Sequence, residues 1–410
     1  MHVRPPRKFV PVPFSYHQEI ELEIDSLSNL GAGIGRVDGW VVFVPFALPG
    51  ERVLARVHRN EKNCSHADLL QVLTASPRRV EARCALFGTC GGCQYQHLAQ
   101  ADQLDWKSRQ VAGLMQHMAG IDFPVNPCIA SPQQWHYRSK ITPHFDRPRD
   151  GEIREIGFLA AGRRRLVDVP ECPIAMEEIN RALPEMRAEV RSQASRFKRG
   201  STILMRVSEG NVISDFKATA CEHVGDLKFR FLAGDFFQNN PFILPDFTGY
   251  VARQASAAGA QYLVDAYCGS GLFALTMAAR FKQVSGVEVS ETSCEWARRN
   301  AHENAITNAE FLTASAEEIF AQITYPPQQT AVVIDPPRRG CSPEFLDQLV
   351  AFRPARLVYV SCDPATQVRD LKRLHHEGYR LRDVQPFDLF PHTRHLECVM
   401  TLDATDMTSS

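Results

Sequence analysis

The stretch CALFGTCGGCQY places Cys84, Cys90 and Cys93 at a C-x5-C-x2-C spacing. Thiols this close in a reducing compartment are metal ligands or catalytic groups rather than disulfide partners. A further cysteine, Cys362 in RLVYVSCDPAT, follows an apolar strand-like run, the place where open parallel sheets hold their ligands. A thiolate there suits addition to an electron-poor carbon. Such an adduct needs a base to release it, and FPHTRHLECVMTL offers Glu397, with His392 and His395 as rivals. Glu397 is preferred because it opens an apolar run and so belongs at a sheet rim. Cys64, Cys128, Cys221, Cys294 and Cys341 read as small buried hydrophobes, and Cys268 and Cys398 need no chemical role.

A second constellation concerns a cofactor. VDAYCGSGLFAL reads as strand, glycine turn and helix, with Gly269, Gly271 and Ala274 matching the dinucleotide fingerprint. Glu288, at the end of the next strand, suits a ribose hydroxyl pair, which both a dinucleotide and S-adenosylmethionine carry. Asp265 discriminates: an anion just ahead of the glycines repels a pyrophosphate and attracts the cationic methionyl end of S-adenosylmethionine. In VVIDPPRRG, Asp335 ends a buried strand and two prolines stiffen its exit. Amino-group methyltransferases place an aromatic residue after such prolines, where this chain has Arg338. Attack by a ring carbon is therefore favoured over methylation of an exocyclic amine. Carbon 5 of uracil becomes nucleophilic only after a thiolate adds to carbon 6, which gives Cys362 its purpose.

These residues need elements to position them. From Glu19 to about Ala75 short alternating runs surround an Asp38-Gly39 pair, a hairpin signal, and predict a small β-barrel of the oligonucleotide-binding kind. From Ser76 to Leu232 helical and strand-like stretches mix. Arg138, Lys140, Arg147, Arg149, Arg163, Arg164 and Arg165 crowd this region beside Trp135, His136 and Tyr137, a mixture suited to unpaired RNA. From Ala233 apolar strands alternate with helices, predicting a parallel sheet covered on both faces. The expected fold is therefore multidomain α/β: a barrel over 9–76, a mixed α+β domain over 77–232 and a Rossmann-like domain over 233–405. The net charge of -1 over 410 residues leaves RNA contact to local patches. The basic, proline-rich start has no apolar core, and no apolar run nears the roughly 18 residues a membrane span needs. A cytoplasmic location without a membrane partner follows.

GDFFQNNP, DPPRRG, SCDPATQVRDL and HLECVMTL together resemble the RNA uracil-5 methyltransferases, the 5-methyluridine-forming, S-adenosylmethionine-dependent enzymes of transfer and ribosomal RNA. The resemblance spans nearly the whole chain and implies a TRAM-type barrel at its start. It implies Cys362 as nucleophile and Glu397 as base, with Gln238, Tyr267, Glu288 and Asp335 lining the cofactor and target pocket beside Asp265 and Gly269. Ser315 falls where relatives often carry an asparagine near the adenine, Leu272 where many have asparagine, and Asp363 replaces the asparagine common after the nucleophile. Relatives with a cysteine cluster hold a 4Fe-4S centre through three close cysteines and one distant. Here those are Cys84, Cys90, Cys93 and, in VPECPIA, Cys172. Zinc is the alternative, although zinc ribbons show two C-x2-C pairs and this chain has one. The implied partner is transfer or ribosomal RNA, with no obligate protein partner evident. An RNA cytosine-5 methyltransferase uses the same thiol addition, and a non-catalytic RNA chaperone is the reading from a different class.

Overall fold

The computed structural model describes residues 5–257 and 259–405. The chain divides into two compact units: the described parts of Met1–Gln110 with Phe158–Val167 and Pro391–Arg394, and the described parts of Val111–Gly157, Asp168–Phe390 and His395–Ser410.

The first unit is built on a closed barrel of five strands, in the order Glu19–Leu27, Ala32–Val37, Trp40–Pro45, Cys64–Thr74, Arg52–Asn60. Alternation makes it: Ile20, Leu22 and Ile24 point inward with Val42, Val44, Val53, Ala55, Val57 and Ala67, while their neighbours face out. Each fully buried valine or isoleucine contributes about 1.5–3 kcal/mol. The expected Asp38-Gly39 hairpin is present. Val37 pairs with Trp40, and both turn residues have positive φ, 50° and 81°, as a two-residue hairpin loop requires. The last strand begins at Cys64, earlier than the run DLLQVL suggests, and that leaves Cys64 partly exposed instead of buried. After the barrel comes the cysteine loop and the helix Gln100–Leu114.

The second unit contains a seven-stranded sheet in the order Ala309–Thr313, Gln283–Glu288, Tyr262–Ala266, Thr330–Ile334, Arg356–Ser361, Glu397–Ala404, Tyr379–Phe387. The first five are mutually parallel, and Glu397–Ala404 runs antiparallel to both its neighbours. The central strands are continuous apolar runs, TAVVI and RLVYVS, buried along their whole length because helices cover both faces. Helix starts follow local chemistry. Ser290, Ser342 and Asp363 cap the helices Glu291–Glu303, Pro343–Phe352 and Pro364–His376 by accepting hydrogen bonds from the first-turn N–H groups. Pro343 and Pro364 then occupy first-turn positions where no N–H is needed.

Smaller sheets precede this one, and the hairpin Thr219–Val224/Leu227–Leu232 shares its core through Phe229 and Phe231. The helix Glu177–Ser192 buries Arg187, which donates to the carbonyls of Ile156 and Val169 at 2.6 and 2.9 Å and to Asp168 at 2.6 Å. Among the described residues no helix is long and apolar enough to cross a membrane.

Candidate active site

The sheet order reverses beside Tyr262–Ala266: the chain moves outward through Gln283–Glu288 and Ala309–Thr313, then returns to Thr330–Ile334 on the other side. Ligands bind outside the carboxyl ends of strands at such a switch point. The loop after Tyr262–Ala266 is built for close approach. Tyr267, Gly269 and Gly271 have φ of 65°, 54° and 93°, and only glycine adopts such values without strain. The half-buried Tyr267 ring lies 5.5 Å from that of Phe345. Asp265 is fully buried within the strand, its Oδ2 accepting the Ala274 N–H at 2.8 Å. Its Oδ1 has no hydrogen-bond partner among the described residues. Burial first, and then Asp335 and Glu288, push its carboxyl well above the usual range. Glu288 accepts the N–H groups of Gly269 and Ser290 at 3.2 and 2.9 Å, fixing the glycine loop to the end of the neighbouring strand.

This donor set fits S-adenosylmethionine: a buried, unsatisfied carboxylate oxygen wants a cation, and a tight backbone loop beside a carboxylate admits a ribose. Ser315 precedes a short 3-10 helix and is partly buried, with no capping bond from its hydroxyl. Leu272 is buried at the first turn of the helix Leu272–Met277 and belongs to the core.

The antiparallel strand explains how residues from distant places meet. Because Glu397–Ala404 runs against the others, its first residue stands at the rim where they end. Ser361 pairs with Cys398 and Phe387 with Glu397, so Cys362 emerges beside Glu397. Asp335 leaves the same rim one strand further in, since Ile334 pairs with Tyr359. Glu397 is buried, and its Oε2 has no hydrogen-bond partner among the described residues. Its carboxyl is held well above the usual range by burial and then by Asp335, with Arg338 opposing. Burial also raises the carboxyl of Asp335. The Cys362 thiol is pushed up to about 12 by burial first, then by Glu397 and Asp335. Arg338 opposes them by charge and by a hydrogen bond to the sulfur.

In the sequence Arg338 stands out only as a missing aromatic, yet it is the cation of this cluster. Its place follows from a turn in which the Gly340 N–H donates to the Pro337 carbonyl at 2.8 Å. The Thr366 hydroxyl holds the Arg338 carbonyl at 3.1 Å, and Arg369 holds that of Arg339 at 3.0 Å. Asp363 accepts the N–H groups of Ala365 and Thr366 and so sets the helix start next to Cys362. Of the rival bases, His392 belongs to the other unit, where its N–H donates to Gln103 Oε1 at 3.0 Å and its ring nitrogen lies 3.2 Å from Gln103 Nε2. His395 is partly exposed, its ring 6.3 Å from that of Phe390.

Gln238 is buried on the loop after Phe237. Two cations clamp that loop from behind: Lys140 donates to the carbonyls of Gly234 and Asp235, and the buried Arg206 to those of Ala233 and Asp235. The sequence groups Lys140 and Arg138 with free phosphate binders. Instead, Lys140 is committed to this clamp, and Arg138 donates to the Lys140 carbonyl and lies over the Phe390 ring. Tyr137 is fully buried and offers no ring face. Arg147, Arg149, Arg163, Arg164 and Arg165 are exposed, the first two in the second unit and the last three in the first.

Cys84, Cys90 and Cys93 are half-buried in the first unit. The Cys84 N–H donates to Gln96 Oε1 at 3.0 Å, and the Cys90 N–H to the Leu86 carbonyl at 2.8 Å. Burial raises the Cys90 thiol, and Cys84 is close enough to raise it further. Cys172, in the second unit, is fixed by Asn180, whose side chain accepts the Cys172 N–H and donates to its carbonyl. Half-buried thiols on irregular backbone are a soft donor set that suits an iron-sulfur cluster or zinc.

A family model described as tRNA (Uracil-5-)-methyltransferase matches residues 218–405, and a TRAM domain model matches residues 17–70. The chain is 45% identical over 417 residues to the tRNA (uracil(54)-C(5))-methyltransferase of Schizosaccharomyces pombe, covering 95% of this chain and 79% of the relative. It is 32% identical to the Saccharomyces cerevisiae protein of the same description, over 95% of this chain and 75% of that one. An uncharacterized RNA methyltransferase of Bacillus cereus is also 32% identical, with coverage of 96% and 98%. The solved structure of the Pyrococcus abyssi tRNA (uracil-54, C5)-methyltransferase with S-adenosyl-L-homocysteine superposes with a TM-score of 0.72. It shares the fold at 24% identity, over 93% of this chain and 100% of that one.

Proposed function

This chain belongs to the RNA uracil-5 methyltransferase family, and from that premise we propose that it methylates carbon 5 of a uridine in transfer RNA through a covalent adduct at Cys362. S-adenosylmethionine supplies the electrophilic methyl group. The yeast relatives are named for uracil 54 of transfer RNA, and that uridine is the target we assign. The observation that carries the reading is the meeting of Cys362, Glu397, Asp335 and Arg338 at one sheet rim beside the glycine loop.

The target uridine leaves its stack and enters the pocket. Cys362 adds to carbon 6, which makes carbon 5 an enolate carbon able to take the methyl group. Arg338 favours the thiolate during this step, offsetting part of the burial that otherwise keeps the sulfur protonated. Burial raises the Asp335 carboxyl to about 7 and holds that of Glu397 well above the usual range, with the Asp335 charge adding to the Glu397 shift and Arg338 opposing it, so the base is tuned upward toward the proton it must take. Glu397 then removes the carbon 5 proton, and the thiolate leaves by elimination. One proton is released for each methyl group gained; the thiol proton lost on addition is regained on departure.

Asp265, Glu288, Gly269, Tyr267 and Ser315 hold the cofactor in this reading, with Gln238 facing the target. Cys84, Cys90 and Cys93 would hold a 4Fe-4S cluster with a structural role, since polar methyl transfer uses no electron. Reduced thiols in such numbers suit a cytoplasmic enzyme. The test is incubation of anaerobically purified protein with methyl-labelled S-adenosylmethionine and separate unmodified transfer and ribosomal RNA pools, followed by nucleoside analysis. Label in 5-methyluridine from transfer RNA is expected. Label in 5-methylcytidine would replace the reaction, and label from ribosomal RNA alone would replace the substrate.

A further inference from the structure

We infer that the barrel carries a site for a divalent transition-metal ion of the zinc class, held by Glu61, Cys64 and His66. This inference is independent of the methyl-transfer reading. The residues close one hairpin: the strand Arg52–Asn60 ends just before Glu61, and the strand Cys64–Thr74 begins at Cys64. The Glu61 N–H donates to the Cys64 carbonyl at 2.8 Å, which fixes the turn. Cys64 and His66 are two apart on one strand and share its outer face, whereas Ser65 and Ala67 between and beyond them are buried.

One donor atom from each of the three residues lies within 4.8 Å of the other two. His66 Nε2 is 3.3 Å from Glu61 Oε1, and Cys64 Sγ is 4.0 Å from Glu61 Oε2. Tetrahedral zinc with bonds of about 2.0–2.3 Å needs ligand atoms roughly 3.3–3.8 Å apart, so the edge from His66 to Glu61 Oε1 fits and the Cys64 sulfur, now nearer the other Glu61 oxygen, must move inward to complete the set. Sulfur, nitrogen and carboxylate oxygen together form a zinc donor set with the fourth position open to water. The surroundings support the ligands. The His66 ring stacks on Phe43 at 5.3 Å, and the His58 ring, its Nδ1 3.7 Å from Asp68, lies 6.4 Å from the His66 ring. Arg59 pairs with Glu61 at 2.7 Å, but its side chain is 67% exposed, and an ion pair so solvated is readily displaced by a divalent ion.

A comparable trio, Glu209, Cys221 and His223, lies in the second unit. There the cysteine is buried and Lys228 holds the carboxylate at 3.1 Å, so it serves as the control.

Full-length protein, stripped of adventitious metal with its cysteine-loop ligands left intact, is titrated with cobalt(II) and then zinc. The expected result is a cobalt–thiolate absorption band that zinc abolishes, present in the wild type and in Cys221→Ser and absent in Cys64→Ser. Since other cysteines also bind cobalt, the quantity read is the difference between wild type and Cys64→Ser, together with a fall of one in bound metal per chain. Glu61→Gln and His66→Gln, both changes on partly exposed side chains, should keep the fold and raise the dissociation constant of this site about tenfold or more. Because the thiol must lose its proton, binding should tighten as pH rises. Equal bands and stoichiometry in wild type and Cys64→Ser would overturn the site, as would unchanged affinity in Glu61→Gln and His66→Gln.

Discussion

A thiol pushed up to about 12 is mostly protonated at neutral pH, so the rate of adduct formation is set by what opposes that shift. With Arg338 opposing burial and two carboxyls at Cys362, the adduct-forming rate should rise with pH through the neutral and alkaline range. Removing Arg338 raises the thiol further, so Arg338→Met should move that rise to higher pH and slow adduct formation at pH 7, while Arg338→Lys restores part of it. A pH profile from stopped-flow trapping would show this, and an unshifted profile would remove Arg338 from the chemistry. Glu397 acts later. Glu397→Gln should lower turnover by about 10²–10⁴-fold and let a denaturant-resistant protein–RNA complex accumulate. Cys362→Ala should give no such complex. Normal turnover in Glu397→Gln would transfer the base role to another group.

At the scale of elements, the strand Gln283–Glu288 shows how packing and cofactor geometry are tied. Gly286 pairs with Asp265 on one side and Phe311 on the other. A Cβ there would meet the Phe311 ring at 2.6 Å and Cys268 Sγ at 3.0 Å. Gly286→Val should therefore destabilise the second unit by about 1–3 kcal/mol and weaken S-adenosylmethionine binding, because the displaced Cys268 adjoins Gly269. Urea unfolding and cofactor titration would measure the two effects. The helix Glu177–Ser192 depends on Arg187 in a different way. Arg187→Met takes a donor from the Val169 carbonyl, and one of several from the Ile156 carbonyl and Asp168, and should cost about 1–3 kcal/mol. Burial alone would raise Asp168, but the Arg187 hydrogen bond and charge win and lower its carboxyl. The stability it contributes is thus present above the ordinary carboxylate range and lost as pH falls through its lowered value. In Arg187→Met that acid-side loss should shrink, and thermal melts at a series of pH values would register it.

At the scale of the molecule, a chain with a net charge of -1 binds RNA through local patches. Exposed arginines are present in both units, Arg163–Arg165 in the first and Arg147 and Arg149 in the second. Neutralising Arg163, Arg164 and Arg165 together should flatten the plot of log affinity against log salt by about one unit for each phosphate left without its cation. Carbon 5 methylation at saturating RNA should be unchanged. An unaltered salt slope would take that run out of the RNA interface.

Local chemistry alone determined a good deal. Alternation and the Asp38-Gly39 turn specify barrel strands, because a period of two exposes one face whatever lies beyond it. Apolar runs divided by glycine turns specify buried parallel strands, and family motifs mark Cys362, Glu397 and the cofactor loop. What local pattern could not give was juxtaposition. Arg138 and Lys140 read as phosphate binders until the carbonyls that Lys140 holds and the ring beneath Arg138 came from residues nearly a hundred or more positions away. Cys64 read as core, but its strand starts at a hairpin rim. Arg338 read as an absence until the turn at Gly340 and the helix behind it brought its charge to Cys362. Charge and burial act through space, falling off over a few ångströms, and only the tertiary structure sets those distances.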